Sequence, residues 1–362
     1  MMVFGLFVTI PLILAEPPVA TDSTEPNKAT HMFELVNVTK IWDKGEHNAF
    51  TGLARFRDTW YCAFREARTH VCRDGTDNGN IRILKSSDGV EWTSAALFSW
   101  DGGDLRDAQL SITPDNQLMV NASVAFYPVS EKKPRRSLTW LSADGKEFTG
   151  PHACETGIDT WRWSVAWHNQ YGYSIGYSGK DMGGCLYRTQ DGITWEIVKD
   201  DLFPFGTDKF YNEASILFDD DGTMLVLLRG DPHDALFGRS RSPYTEWVWE
   251  PLDKRIGGPR LHQLPDKRII AVVRLYEPAR TALCMPNLKD GTLDEIMVLP
   301  SGGDTSYAGT VWHDEKLWIS YYSSHEGKSA IYLALVAPRH AGLRRSRDGK
   351  TATGGKGEQG KR

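Results

Sequence analysis

At 362 residues the chain exceeds one average domain but lies within the range that single all-β domains reach. Its 13 Trp, 13 Tyr and 14 Phe supply aromatic surface for packing many strands and for stacking on sugar rings. The formal net charge of −5 is uneven: residues 339–362 hold eight Lys/Arg against two acids, which leaves −11 on the remainder and excludes a nucleic-acid surface on the folded body.

In chain order, the first feature is an apolar run over residues 1–15, ending before Glu16-Pro17-Pro18. About fifteen residues is the length of a signal-peptide core and falls short of the ~20 that a spanning helix needs. The expectation is a secretory leader, and hence a secreted or periplasmic protein with no membrane contact beyond it. Residues 16–30 then read as a linker, 31–338 as the folded body and 339–362 as a basic tail. That tail is Gly-rich and nearly free of apolar side chains, so it cannot bury a core and is expected to be disordered. Five cysteines (Cys62, Cys72, Cys154, Cys185, Cys284) form no Cys-x-x-Cys pair, so neither a metal site nor a disulfide framework is expected. No nucleotide fingerprint or phosphate loop occurs, and no cofactor is expected.

Strand-like runs then recur in pairs. Leu53–Phe56 precedes Trp60–Phe64, Gln109–Thr113 precedes Gln117–Ala125, and Ser164–His168 precedes Tyr173–Tyr177. Ala214–Phe218 precedes Thr223–Leu228, Leu261–Leu264 precedes Arg268–Val273, and Gly309–His313 precedes Lys316–Tyr321. Turn pairs such as Pro114-Asp115, Asp221-Gly222 and Pro265-Asp266 separate the members of a pair. A single run, Ile331–Val336, follows the sixth pair, and Phe33–Trp42 is the strand available to complete that last unit and close the ring. Between the pairs stand three copies of one pattern, Ser86-Ser87-Asp88-Gly89-Val90-Glu91-Trp92, Ser142-Ala143-Asp144-Gly145-Lys146-Glu147-Phe148 and Thr189-Gln190-Asp191-Gly192-Ile193-Thr194-Trp195. A fourth stretch, Ser240 to Trp247, keeps the hydroxyl and the Trp but has Pro243 where the Gly would fall. Asp-Gly makes a tight turn, with the carboxylate capping backbone N–H groups and glycine taking positive φ.

These repeats resemble the Asp-box (BNR) repeats of the sialidase, or neuraminidase, superfamily over roughly residues 45–338. The resemblance implies an all-β, six-bladed β-propeller of four-stranded antiparallel blades, closed by the N-terminal strand. It also places the repeats on the face opposite the active site, so their aspartates are scaffold.

The loops entering a first strand and leaving a second share one face of such a propeller. Entering positions supply His47, Asn48, Arg106, Asp107, Arg162, Trp163, Asn212, Glu213, Arg260 and Tyr307. Leaving positions supply Arg65, Glu66, Arg68, Tyr177, Arg229, Asp231, Arg274, Tyr322 and His325. Such a rim suits a glycan bearing an anionic sugar. The order Tyr211-Asn212-Glu213-Ala214, Leu228-Arg229-Gly230, Val273-Arg274 and Thr305-Ser306-Tyr307-Ala308-Gly309 is similar to that of sialidases. The resemblance implies Tyr307 as nucleophile, Glu213 as its base, and Arg229 and Arg274 as a clamp for the sugar carboxylate. A neutral phenol suits an anomeric carbon that bears a carboxylate, and sialidases are a named exception to the two-carboxylate rule. The family's general acid follows the second strand of the first blade, where Asp74 and Asp77 are the candidates and Asp107 a third. The family's first-blade arginine is absent: the segment reads Ala49-Phe50-Thr51-Gly52, with Arg65, Arg68 or Arg106 as replacements. Arg162, Tyr322 and His325 complete the expected substrate-binding set.

The leading expectation is therefore an exo-acting retaining glycosidase on sialic acid or a related acidic sugar. Two alternatives share the same rim. One is a polysaccharide lyase using His47, His313 or His325; the other is a non-catalytic carbohydrate-binding propeller using Trp161, Trp163 and Tyr177. Asp219-Asp220-Asp221 could bind calcium, but reads more simply as a hairpin tip.

Overall fold

The computed structural model describes residues 32–71, 74–129, 133–178, 183–204 and 209–339. The expected leader and linker, the tail beyond Arg339 and Cys72 lie outside the described residues. Six antiparallel sheets make up the fold, five of them four-stranded, with no α-helix among the described residues. The first blade is typical: His47–Phe56, Thr59–Ala67, Asn80–Ser86 and Thr93–Phe98 pair in chain order from the inside outward. The third blade departs from the pattern, because its inner strand is broken into Trp161–Arg162 and Ala166–His168. In the sixth blade Thr305–His313, Lys316–Ser323 and Ala330–Pro338 are joined by Phe33–Trp42, which runs from Phe33 opposite Pro338 to Trp42 opposite Ile331.

Sequence pattern and depth agree. Second strands are covered on both faces by neighbouring blades, and Leu118–Ala125 is buried at every position. That explains why Leu, Met, Val and Ala fill six of its eight positions in place of strict alternation, with only Asn121 and Ser123 polar. Outer strands such as Thr93–Phe98 are largely exposed. The core consists of apolar seams between blades. In the seam between the first and second, Phe56, Tyr61, Leu110, Val120 and Trp140 pack together, with Phe98 stacked on Trp140 at 4.7 Å.

The three Asp-Gly segments adopt one turn between third and fourth strands. Asp88 Oδ1 accepts from Val90 N at 2.8 Å and Glu91 N at 3.0 Å, while Gly89, at φ +77°, donates to Ser86 Oγ. Asp144 and Asp191 repeat this arrangement. The Trp92 and Trp195 indoles donate to the turn glycine's carbonyl, at 3.1 and 3.2 Å. In the fourth copy Tyr244 takes the glycine's place at φ +67°, and its carbonyl accepts from the Trp247 indole.

One irregularity recurs in every blade and positions the site. Each inner strand carries one residue more than its partner at the same depth. The register steps from Ala49 to Gly52, Arg106 to Gln109, Tyr211 to Ala214, Gly257 to Arg260 and Ser306 to Gly309, each against two residues on the second strand. The third blade takes its extra residue across the break, between Arg162 and Ala166. Such bulges re-aim side chains. Four of them hold a residue at nearly the same left-handed φ: Phe50 at 63°, Asp107 at 55°, Gly258 at 54° and Tyr307 at 54°.

Candidate active site

The bulges bring Phe50, Asp107, Trp163, Glu213, Gly258 and Tyr307 to the face where chains enter inner strands and leave second strands. Non-glycine residues are uncommon at positive φ, and buried Asp107 and Tyr307 hold it here. Phe50, in the first blade's bulge, sets an aromatic ring into this floor. The ring lies 5.0 Å from Tyr307, 5.4 Å from Tyr322 and 5.2 Å from His70.

Two hydrogen-bonded triangles lie side by side on this floor. In the first, Tyr307 Oη donates to Glu213 Oε1 at 2.7 Å, while Arg229 Nη1 donates to Glu213 Oε1 at 2.7 Å and to Tyr307 Oη at 3.0 Å. Gly258 N completes the carboxylate, donating to Oε2 at 2.8 Å. Only glycine fits at 258, since a Cβ would lie 2.7 Å from the Tyr307 ring. Burial, and next the Glu213 charge, push the Tyr307 phenol well above its ordinary value, against Arg229 and Arg274. The hydroxyl is thus protonated at neutral pH and aimed at a base. Arg229 also holds Asp231 at 2.7 Å, and Asp231 is held from its other oxygen by Arg255.

In the second triangle Arg274 Nη2 donates to Asp304 Oδ1 at 3.0 Å and to Tyr322 Oη at 2.7 Å, and Tyr322 Oη donates to Asp304 Oδ1 at 2.7 Å. Arg274 Nε is held by the Thr305 carbonyl. His47 and His70 meet the other oxygen, Oδ2, at 3.0 and 2.7 Å. Burial opposes ionisation of Asp304, but the hydrogen bonds from His47, His70 and Tyr322 outweigh it and hold the carboxyl far below its usual range.

Asp107 faces the first triangle. Burial raises its carboxyl to about 6, with Arg106 opposing and the Glu213 charge adding to the rise. Tyr177 lies within electrostatic reach of both Glu213 and Asp107 and stacks parallel to Trp161, the ring centroids 6.4 Å apart.

Several expected site residues have other tasks. Asp77 accepts from Arg68 N, Thr69 N and Thr69 Oγ1 and pairs with the Arg68 side chain at 3.2 Å. Burial acts to raise its carboxyl, but these bonds hold it below the ordinary value, the reverse of what a general acid needs. Asp74 closes a local turn through Thr76 N and Oγ1. Arg65, fully buried, is held by Asp104 at 2.8 Å and the Thr69 carbonyl at 2.7 Å, so it supports the floor from beneath. Arg106 contacts Asp104, the His70 carbonyl and the Phe50 ring, also from below. Arg162 points into the third blade, to Cys154 Sγ and the Trp195 ring. His325 bonds Ser323 and packs on Tyr332, outside both triangles. Asp304 and His70 sit in no sequence pattern of their own, and both belong to this floor.

A cleft of about 280 Å³ lined by Lys254, Arg255, Tyr276, Glu277 and Arg280 opens on the same face. It borders the triangles, because Arg255 shares Asp231 with Arg229 and the Tyr276 hydroxyl acts on both Arg229 and Arg274. A larger cleft, about 560 Å³, lies on the opposite face around Asp219, Arg241 and Glu246, away from this chemistry.

No protein-family model matches the chain, and no curated protein matches it by sequence. Solved structures share its fold. A Dyadobacter fermentans protein of unknown function is 19% identical, covering 85% of this chain and 99% of its own, with a TM-score of 0.72. An α-L-arabinofuranosidase from Fusarium graminearum is 12% identical over 83% of this chain and 97% of its own, with a TM-score of 0.63. A Trypanosoma rangeli sialidase variant with trans-sialidase activity is 12% identical over 84% of this chain but only 58% of its own, with a TM-score of 0.58. At these identities the likeness is one of fold. The chain is a six-bladed propeller with glycosidases of two specificities among its structural neighbours.

Proposed function

We propose that the chain is an exo-acting retaining glycosidase that releases a terminal sialic acid or related acidic sugar from a glycoconjugate. The observation that carries this reading is the 2.7 Å hydrogen bond from the Tyr307 hydroxyl to Glu213, with Arg229 bonded to both. Tyr307 Oη attacks the anomeric carbon as its proton passes to Glu213, the step a phenol of high pKa requires. The glycosidic bond breaks, and Asp107 gives its proton to the departing oxygen; a carboxyl near 6 suits that task at mildly acidic pH. Water then enters, losing a proton to Asp107. It displaces the sugar from Tyr307, which recovers its own proton from Glu213. The basic cleft beside Arg255 and Tyr276 is the place for the leaving portion.

One observation favours a second reading, on a neutral sugar. Both proposed clamp arginines are already engaged by internal carboxylates, Arg229 by Glu213 and Asp231 and Arg274 by Asp304, and the first-blade segment Ala49-Phe50-Thr51-Gly52 offers no third arginine. A substrate carboxylate would compete with these pairs. On a neutral sugar Glu213 itself is the nucleophile, oriented by Tyr307, Arg229 and Gly258, and Asp107 remains the acid.

Release of 4-methylumbelliferone from its α-sialoside and from its α-L-arabinofuranoside, by wild type, Tyr307→Phe and Glu213→Gln, tests both. Sialoside turnover lost in both variants supports the tyrosine mechanism. Turnover of the arabinofuranoside alone, lost in Glu213→Gln and only weakened in Tyr307→Phe, supports the second reading. An inactive wild type on both substrates, with sugar binding retained, would overturn the glycosidase reading in favour of a binding propeller, and unsaturated products from uronic-acid polymers would favour a lyase.

A further inference from the structure

Two imidazoles and a carboxylate converge beside the second triangle in a way the glycosidase reading does not use. His47 begins the first blade's inner strand, His70 lies in the loop after that blade's second strand, and Asp304 immediately precedes the sixth blade's inner strand. His47 Nε2 and His70 Nδ1 lie 3.0 and 2.7 Å from Asp304 Oδ2, and the three atoms fall within 4.8 Å of one another. We infer that His47, His70 and Asp304 form a site for one divalent first-row transition ion of the zinc class, at the rim of the candidate active site.

The donor set and its surroundings carry this inference. An ion bound at roughly 2.0–2.2 Å from nitrogen and oxygen ligands spaces those ligands about 3 Å apart, close to the two short separations here. Two imidazoles with one carboxylate favour zinc, iron or nickel over magnesium or calcium, which take oxygen ligands. Asp304 Oδ1 is held by Arg274 and Tyr322, so the carboxylate is fixed with Oδ2 alone presented. That is the outer-shell support a metal-binding carboxylate requires. The His70 side chain is 46% exposed, which gives the ion a route in and leaves positions for water or sugar hydroxyls. An ion here adds positive charge beside Arg274, and Asp304 is the anion that offsets both. The competing arrangement has the two imidazole N–H groups simply donating to Asp304.

Calorimetric titration at pH 7 of the full chain, freed of metal by a chelator and then dialysed, distinguishes them. Zn²⁺ is the probe, with Ca²⁺ in parallel and the visible spectrum of Co²⁺ as a report on coordination. We expect one equivalent of Zn²⁺ with little competition from Ca²⁺. His70→Ala, at a half-exposed loop position that folding tolerates, should weaken Zn²⁺ binding at least about tenfold, since losing even an outer-shell partner costs that much. His47→Ala should do the same. Absence of saturable Zn²⁺ binding by the wild type, or unchanged binding by His70→Ala, overturns the site and leaves two histidines hydrogen-bonded to an aspartate. Failure of the sialoside and arabinofuranoside assays has no bearing on this result.

Discussion

The two triangles are built from the same parts. Each joins a carboxylate, an arginine and a tyrosine through bonds of 2.7 to 3.0 Å, and the two tyrosine rings lie 5.9 Å apart. They differ in what meets the carboxylate's second oxygen. Glu213 receives the backbone N–H of Gly258 and has Asp107, an acid near 6, facing it; Asp304 receives two imidazoles. The shared triangle orients a tyrosine and a carboxylate, and the second oxygen's company determines the chemistry. On the proposed reading, the triangle facing Asp107 is the nucleophilic centre, and the one met by imidazoles is the rim beside it.

The largest effect that can break this comparison comes from removing each tyrosine hydroxyl in turn. Tyr307→Phe removes the proposed nucleophile and should lower kcat/KM on the sialoside by about 10⁶, and Tyr322→Phe by far less. Equal losses would mean that the triangles work as one unit. Asp107→Asn should cost a comparable factor on substrates with poor leaving groups and little on those with activated aryl leaving groups. The wild-type rate should fall as pH rises through about 6, because Asp107 must carry a proton to act as the acid. A smaller effect concerns stability. Asp304 is depressed relative to the unfolded chain, so its contribution is present above the ordinary carboxylate range and lost as pH falls towards its folded value. Asp304→Asn should therefore flatten the acid side of Tm against pH. The smallest effect is at the opposite face, where Asp144→Ala should lower Tm with kcat/KM unchanged, because that carboxylate serves only its own turn.

The blades were legible because Asp-Gly turns and paired strand runs are local signals, and even the pairing of Phe33–Trp42 with the last run could be read from an unmatched strand. Glu213, Arg229, Arg274 and Tyr307 were legible because blade order fixes their order around the axis. Asp304 and His70 were not, since their contact spans 234 residues and neither sits in a pattern of its own. Arg65 was misplaced for a related reason. It ends a second strand just as Tyr322 and Arg274 do, and its partners, the Thr69 carbonyl and Asp104, 39 residues further on, tie it beneath the floor. Asp77 looked like an acid in a loop, and the backbone N–H groups that occupy it leave no trace in sequence. The break in the third inner strand was likewise invisible within Trp161–His168.

The extra residue in each inner strand gives the propeller six sockets at one depth, filled by Phe50, Asp107, Trp163, Asn212, Gly258 and Tyr307. A side chain moved from one socket to the next keeps its depth and changes its bearing around the axis by about 60°. Where two carboxyls do the chemistry, as in the neutral-sugar reading, their separation tracks whether a glycosidase retains or inverts configuration. Relocating the acid between sockets is thus a route from one stereochemical outcome to the other that leaves every blade intact.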